Sequence, residues 1–231
     1  MIDRYDWILF DADDTLFHFD GAIGLDALFQ RFDAVFTAAD FEQFQALNKP
    51  LWERYAQGLV SAEEVQIRRF EPLAQRFGVT AAQLNRDFID AMADLCEPLP
   101  GALNLVHALS QRVQLGIITN GFTELQDRRM RRVGFNLHFE LLVISEQVGV
   151  AKPHLDIFEH AFARMNNPSR ERILMVGDNL QTDVLGGRNA GIDTCWLNHH
   201  GKQAPVHLQP TFEVSSLPQL QQLLMGAHAY Q

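Results

Sequence analysis

Three carboxylates follow directly on an apolar run in the stretch "WILFDADDTLF", residues 7–17; they belong to Asp11, Asp13 and Asp14. Carboxylates this close repel one another, and burial disfavours their charged form. A fold that keeps them together therefore needs a counter-charge, which a metal ion or a basic side chain can supply. Carboxylates in such a setting can act as metal ligands, nucleophiles or acid–base groups. Which role each takes depends on the elements that position it.

The apolar run before Asp11 is one of several short runs that predict strands. The others are residues 113–119, 141–145, 172–177 and 194–197. They lack the clean alternation of half-buried strands, which is typical of parallel strands covered on both faces. Helical patterns lie between them, as in "HLDIFEHAFARM", residues 154–165, whose apolar positions fall on one face. This alternation predicts an α/β fold with a doubly wound, Rossmann-like parallel sheet.

One long segment departs from this alternation. From about Gly21 to Glu97 the sequence shows helical patterns and no convincing strand, with capping-box sequences starting at Ser61 and Thr80. Pro72 is expected to end or kink the helix before it. We therefore predict a core domain of residues 1–18 and 98–231, with a helical cap domain of residues 19–97 inserted after the first strand. An ordinary long crossover between two strands is the alternative.

Polar side chains follow the predicted strands, and ligands of open α/β sheets bind at the carboxyl ends of the strands. The residues expected at this edge are Asp11, Asp13, Thr15, Thr119, Asn120, Lys152, Asp178 and Asp183. Four carboxylates meeting there without a counter-ion would be strongly unfavourable. Mg²⁺ resolves this, because it binds one or two carboxylates, keeps waters and leaves a position for a substrate phosphate. With the charge of Lys152, the set predicts a phosphoryl site that has a carboxylate as the attacking group.

These residues fall into motifs that resemble those of the haloacid dehalogenase superfamily phosphatases. "DADDT" at 11–15 matches the family's DxDx[TV] signature, and "IITNG" at 117–121 matches its second motif. Lys152 matches the third motif, and "GDNLQTD" at 177–183 matches the GDxxxxD pattern of the fourth. A lone DxD would be weak evidence. Four motifs in order, each after a predicted strand, make the resemblance extend over the whole chain.

The resemblance implies a role for each motif residue. Asp11 would be the nucleophile that forms an aspartyl-phosphate, and Asp13 the general acid and base whose backbone carbonyl also binds the metal. Asp178 would be a direct metal ligand, so that the implied metal residues are Asp11, Asp13 and Asp178. The implied phosphoryl-binding groups are Thr119, the Asn120 backbone amide and Lys152. Asp183 would act through water or by orienting Lys152.

The implied cofactor is Mg²⁺, with Mn²⁺ as a plausible substitute, and the implied substrate is a small phosphomonoester. The whole pattern looks most like the bacterial pyrimidine 5′-nucleotidases of this superfamily, which act on dUMP, UMP and dTMP. The stretches that carry this likeness are "NKPLW" at 48–52, "ITNGFTELQ" at 118–126 and "VISEQVGVAKP" at 143–153. A helical cap that closes over the site would exclude water and select the leaving group.

Other functions remain open at this point. A sugar-phosphate phosphatase or a phosphomutase would use the same motifs. A 2-haloacid dehalogenase needs neither Mg²⁺ nor an acid at the Asp13 position, so Asp13 counts against it. A non-catalytic binding module would tolerate loss of a motif, and none is lost.

Composition narrows the class of partner. The 231 residues are 47% hydrophobic and carry a formal net charge of −10, which disfavours a nucleic-acid partner. The arginines of "DRRMRR", residues 127–132, are expected on a solvated helix face, with a partner or substrate contact as the alternative. No apolar run approaches the roughly 20 residues needed to span a bilayer. Cys96 and Cys195, with no leader pattern at the start, predict free thiols and a cytoplasmic location. The oligomeric state, a homo-oligomer included, stays open.

Overall fold

The computed structural model describes residues 1–226. In this part of the chain, the strands are β1 Trp7–Phe10, β2 Gln114–Thr119, β3 Leu141–Ile144, β4 Ile173–Gly177, β5 Asp193–Leu197 and β6 Phe212–Val214. The α-helices are α1 Gly21–Gln30, α2 Ala38–Ala56, α3 Ala62–Arg68, α4 Glu71–Phe77, α5 Ala81–Leu95, α6 Ala102–Ser110, α7 Thr123–Val133, α8 Ser145–Val148, α9 Leu155–Arg164, α10 Leu185–Asn189 and α11 Leu217–Met225. Among residues 1–226, no helix combines the length and the apolar character needed to cross a bilayer.

All six strands form one parallel sheet in the order β3-β2-β1-β4-β5-β6. β1 lies between β2 and β4, with Phe10 opposite both Ile117 and Val176. This confirms the predicted doubly wound α/β core. The sequence does not predict β6, because its three residues, one of them exposed, are too few for a recognisable pattern.

Both faces of β1 are buried, which explains why its sequence is uniformly apolar. Successive side chains of a strand point to opposite faces. Trp7 and Leu9 lie in the core cluster that also contains Phe158 of α9. Ile8 and Phe10 point to the other face and are equally inaccessible to solvent. The strand that carries Asp11 is therefore fixed from both sides.

The chain divides into two compact units. One contains Met1–His18, Glu97–Gly121 and the described chain from Met130 onward, and it includes the sheet. The other, which we call the helical unit, contains Phe19–Cys96 and Phe122–Arg129. The expected cap limits of 19–97 stay a prediction. That Phe122–Arg129 would group with the helical segment was not expected from the sequence.

Local signals account for the helices of the helical unit. Ser61 caps α3 through a reciprocal box with Glu64, and Thr80 accepts a hydrogen bond from the Gln83 N–H at the start of α5. Pro72 lies in the first turn of α4, where a missing N–H is tolerated, and α3 has ended four residues earlier at Arg68. Residues 21–95 accordingly form five helices and no strand.

The expectation of a solvated arginine face on residues 127–132 is wrong for Arg129. Arg129 is fully buried, and its Nε and Nη2 atoms donate to Gln126 Oε1 at 3.0 and 2.7 Å. Its neighbour Arg128 is partly exposed and pairs with Asp90 and Asp94. Helical spacing gives the directions of the side chains, but it does not show which direction meets another element.

Phe158 offers a test of the core. Its ring is fully buried and packs where a side chain on Gly186 would otherwise lie. We expect Phe158→Ala to lower the free energy of unfolding by about 3–5 kcal/mol, because it leaves a cavity. The control is Leu155→Ala on the same helix, where a 42% exposed side chain should change stability by less than about 0.5 kcal/mol. Equal effects of the two variants in denaturant unfolding would contradict this account of the core.

Candidate active site

Asp11 follows β1 without a break in the sheet. Its N–H donates to the Val176 carbonyl at 2.8 Å, so β4 holds the backbone at Asp11. The chain then turns: Asp14 has a left-handed backbone (φ 53°), and its N–H donates to the Phe17 carbonyl at 2.7 Å. Asp14 thus serves the turn. Asp13 lies within this turn and is partly exposed.

A buried lysine joins two of the carboxylates. Lys152 Nζ donates to Asp11 Oδ1 at 2.6 Å and to Asp183 Oδ1 at 2.7 Å. The side chains of Lys152 and Asp183 are each only 1% exposed, whereas that of Asp11 is 13% exposed. Asp11 is therefore the member of this ion cluster that a substrate can reach.

Asn120 positions Lys152 through its side chain. Asn120 Oδ1 accepts from the Lys152 N–H at 2.8 Å, and Asn120 Nδ2 donates to the Lys152 carbonyl at 2.9 Å. The expectation from resemblance concerned only the Asn120 backbone. Thr119, the last residue of β2, is buried, and its Oγ1 accepts from the Gly121 N–H at 3.0 Å. This bond shapes the turn after β2.

The segment after β4 carries the remaining two aspartates. A π-helical turn spans Leu180–Val184, and Asp183 Oδ2 accepts from the Asn179 N–H at 3.0 Å. A side chain at Gly177 would collide with the Asp183 carboxylate, so the glycine of the fourth motif leaves space for it. Asp178 is held by its backbone, because its N–H donates to Thr15 Oγ1 at 3.1 Å.

Two positioning contacts were not predicted. Trp196 Nε1 donates to the Asp178 carbonyl at 2.8 Å, and His199 Nε2 lies 2.8 Å from the Asp14 carbonyl, to which it must donate. Trp196 lies one residue before the end of β5, the one predicted strand for which no polar residue was assigned, so the rule of strand ends points to this region but not to its partner Asp178. His199 belongs to the "NHHG" loop, which the sequence alone could not attach to a particular partner.

Carboxylate oxygens of Asp11, Asp178 and Asp183 lie within 4.8 Å of one another. Burial, opposed in part by the charge of Lys152, raises the pKa of Asp11 to about 7. Burial and the charges of Asp183 and Asp11 raise the pKa of Asp178 to about 8. With all three carboxylates ionised, the single ammonium of Lys152 would leave an excess of negative charge. Such a group of oxygens fits a divalent cation with oxygen ligands.

Lys152 stays charged in this setting. Burial alone would lower the pKa of Lys152, but the charges of Asp11 and Asp183 and their hydrogen bonds outweigh it and raise the pKa. A fixed ammonium within hydrogen-bonding distance of an accessible carboxylate can hold an anionic oxygen of a substrate.

The structure thus brings Asp11, Lys152, Asp178 and Asp183 together at the carboxyl edge, with Asn120 as a support of Lys152. Thr119 is the last residue of β2, which pairs with β1, and Asp13 lies in the turn after β1. The side chain of Asp13 does not belong to the three-carboxylate group found among residues 1–226. The assigned roles of all these residues stay predictions.

A doubly wound parallel sheet with an aspartate–lysine cluster at its carboxyl edge defines the class as an α/β protein with a carboxylate-based site. The model of the haloacid dehalogenase-like hydrolases matches residues 5–191, and the chain belongs to this family. It is a hydrolase by that membership, and the resemblance drawn from the four motifs is confirmed.

Individual relatives cover nearly the whole chain. The pyrimidine 5′-nucleotidase YjjG of Escherichia coli is 51% identical over 96% of this chain and 98% of its own. The pyrimidine 5′-nucleotidase PynA of Streptococcus pneumoniae is 34% identical over 94% and 93%. The solved structure of the HAD-hydrolase YfnB of Bacillus subtilis, bound to magnesium, is 32% identical, with a TM-score of 0.84 over 96% of this chain and 99% of its own.

The raised pKa values predict how stability depends on pH when a chelator is present. Asp11 and Asp178 have folded-state pKa values near 7 and 8, above their value of 3.8 in the unfolded chain. Their protonated forms therefore favour folding; this contribution is full below about pH 4 and is lost as pH rises from there to about 8, above both folded-state pKa values. We expect the unfolding temperature to fall between about pH 5 and pH 8, to level off above that, and to fall less when a divalent cation is added.

The control is Asp178→Asn, which removes one titrating group and should flatten the fall in chelator. Thermal unfolding at each pH is the measurement. The electrostatic account is wrong if the wild type and Asp178→Asn show the same pH dependence in chelator.

Proposed function

We propose that this protein is a phosphomonoesterase that hydrolyses pyrimidine nucleoside 5′-monophosphates such as UMP, dUMP and dTMP. The observation that carries the proposal is an accessible Asp11 carboxylate bound to the buried Lys152 ammonium at the carboxyl edge of the sheet. Together they provide a nucleophile and a fixed positive charge for a phosphoryl group. Two relatives named as pyrimidine 5′-nucleotidases, at 51% and 34% identity, support the choice of substrate.

In the first step, Asp11 attacks the phosphorus atom. Lys152 binds Asp11 Oδ1, and we assign Asp11 Oδ2 as the oxygen that forms the new P–O bond. The bond to the 5′-oxygen of the nucleoside breaks, and an aspartyl-phosphate forms. Lys152 and Thr119 bind the phosphoryl oxygens. The Asn120 side chain keeps Lys152 in place through two hydrogen bonds to the Lys152 backbone.

Asp13 transfers the protons in both steps. As an acid, it protonates the 5′-oxygen as the nucleoside leaves. As a base, it takes a proton from the water that attacks the phosphorus of the aspartyl-phosphate. The products are the nucleoside and inorganic phosphate, and Asp11 is regenerated. The partial exposure of Asp13 suits this role, since water must reach it.

We infer that Mg²⁺ is the cofactor, with Mn²⁺ as a substitute. The oxygen donors of Asp11 and Asp178 and the backbone carbonyl of Asp13 would hold it, with Asp183 orienting Lys152. When bound, the ion neutralises charge on the carboxylates and on the phosphoryl oxygens. The excess negative charge of the cluster supports this assignment, as does the magnesium bound to the Bacillus subtilis relative.

We also place the protein in the cytoplasm, as a hydrolase of soluble nucleotides with no nucleic-acid or membrane partner. Both cysteines, Cys96 and Cys195, are free and buried, which is typical of a reducing compartment. The formal net charge of −10 supports a small-molecule substrate over a nucleic acid.

Replacement of the nucleophile tests the covalent mechanism. Asp11→Asn keeps the shape of the side chain but removes the attacking oxygen anion, so we expect kcat to fall at least about 1000-fold. The control is Asp14→Asn in the same turn, where asparagine tolerates the left-handed backbone and activity should stay within about twofold. Phosphate release with Mg²⁺ is the measurement. Turnover by Asp11→Asn within tenfold of the wild type would rule out the covalent role.

A substrate panel tests the specificity. With Mg²⁺, we expect kcat/KM for UMP, dUMP and dTMP to exceed that for ribose 5-phosphate by about tenfold or more, since the base adds binding energy in the transition state. Glucose 6-phosphate and glyceraldehyde 3-phosphate complete the panel. Better turnover of these sugar phosphates would contradict the nucleotidase proposal. Recovery of an isomeric phosphate ester in place of free phosphate would identify a phosphomutase.

A further inference from the structure

Trp196 places a buried indole beside the segment that follows β4. The residue lies in β5 opposite Gly177, the last residue of β4, and it is 3% exposed. Its side chain packs in an apolar cluster with Val184 and Leu208, which are each 1% exposed. An indole has one polar atom, the donor Nε1, which usually finds a partner when it is buried. The packing of the rings therefore sets the direction in which this N–H donates.

The acceptor of the indole N–H belongs to a peptide group that is held at both ends. Trp196 Nε1 donates to the Asp178 carbonyl at 2.8 Å. The N–H of the same peptide group, which is that of Asn179, donates to Asp183 Oδ2 at 3.0 Å. On its other side, the Asp178 N–H donates to Thr15 Oγ1 at 3.1 Å. Side chains thus bind both backbone polar groups of Asp178, and they set the direction of its Cα–Cβ bond.

These bonds continue from the peptide group to the lysine of the site. Asp183 accepts from the peptide N–H through Oδ2 and from Lys152 Nζ through Oδ1, and Lys152 also donates to Asp11. The side chains of Asp183 and Lys152 are each 1% exposed, so these bonds lie away from bulk water. Hydrogen bonds in series polarise one another in such a setting. Donation by Trp196 therefore makes the peptide N–H a stronger donor to Asp183. Every residue of this series belongs to the unit that contains the sheet.

The direction of the Asp178 carboxylate matters because its neighbours repel it. Oxygens of Asp11, Asp178 and Asp183 lie within 4.8 Å of one another, and like charges at this distance push the groups apart. Mg²⁺ demands near-ideal octahedral geometry with oxygen ligands at about 2.0–2.1 Å. A small rotation of Asp178 away from Asp11 would therefore weaken the binding of the ion. The bonds to the backbone of Asp178 oppose that rotation.

We propose that Trp196 is a positioning residue that raises the affinity of the site for its divalent cation, because its indole N–H holds the backbone of Asp178. The inference rests on the proposed function through the assignment of Asp178 as a ligand of Mg²⁺. Trp196 is itself no ligand, since its one polar atom is a donor, and it acts through the carbonyl of a ligand residue. Groups that orient metal ligands in this way typically contribute about 10- to 100-fold to the affinity for the metal.

Trp196→Phe tests the proposal, because phenylalanine keeps an aromatic ring in the cluster and removes the indole N–H. We expect the dissociation constant for Mn²⁺ to rise about tenfold or more. The measurement is the electron paramagnetic resonance signal of free Mn²⁺ in the absence of substrate, so it does not depend on turnover. A purely structural role of Trp196 would lower the unfolding temperature in chelator and leave this dissociation constant unchanged.

The matched control is Trp7→Phe, which makes the same exchange at another buried tryptophan of the sheet. Trp7 is 8% exposed and lies in a different core cluster from Trp196. It is paired with Ile173, the first residue of β4, at the end of the strand away from Asp178. We expect Trp7→Phe to lower the unfolding temperature and to keep the dissociation constant for Mn²⁺ within about twofold of the wild type, since distant sites act independently.

A second replacement at position 196 separates the N–H from the packing of the rings. The benzothienyl analogue of tryptophan has sulfur in place of the N–H and keeps both fused rings, so the contacts with Val184 and Leu208 are preserved even if Trp196→Phe does not fold. Its dissociation constant for Mn²⁺ should also rise about tenfold or more.

The proposal is overturned if the folded replacements of Trp196 bind Mn²⁺ as tightly as the wild type does. It is also overturned if Trp7→Phe weakens the binding of Mn²⁺ as much as they do. If the wild type itself binds neither Mn²⁺ nor Mg²⁺, the proposed cofactor fails instead, whatever the variants do.

Discussion

The excess of negative charge at one edge of the sheet is the constraint on which the site depends. Lys152 is the buried cation that opposes it, and its Nζ atom lies within hydrogen-bonding distance of both Asp11 and Asp183. These partners follow different strands, and Asn120, which holds the Lys152 backbone, follows a third. One ammonium therefore connects segments whose positions are set by the pairing of β2, β1 and β4. A slip in register along any of them would separate the charges and leave some of them buried and unpaired.

The same excess of negative charge explains why the few polar groups of the site lie at the ends of strands made of buried apolar residues. Like-charged carboxylates favour expansion of the edge, and the raised pKa values of Asp11 and Asp178 reflect this repulsion together with burial. The central strand resists it, because its residues are inaccessible to solvent on both faces. A site whose carboxyl groups have perturbed pKa values favours binding of a cation and a phosphoryl anion, and the rest of the fold must offset the loss of stability. The stabilising interactions and the reactive groups are thus on the same strands.

The core and the motif residues could be predicted from the sequence for a physical reason. Parallel strands buried on both faces give continuous apolar runs, and their ends are the places where polar chemistry collects. This reasoning predicts that Asp11, Lys152 and Asp178 lie at the site. It does not predict β6, which is too short, or the burial of Arg129, which depends on what packs against α7. The Trp196 bond to the Asp178 carbonyl is likewise a long-range contact that no local pattern encodes.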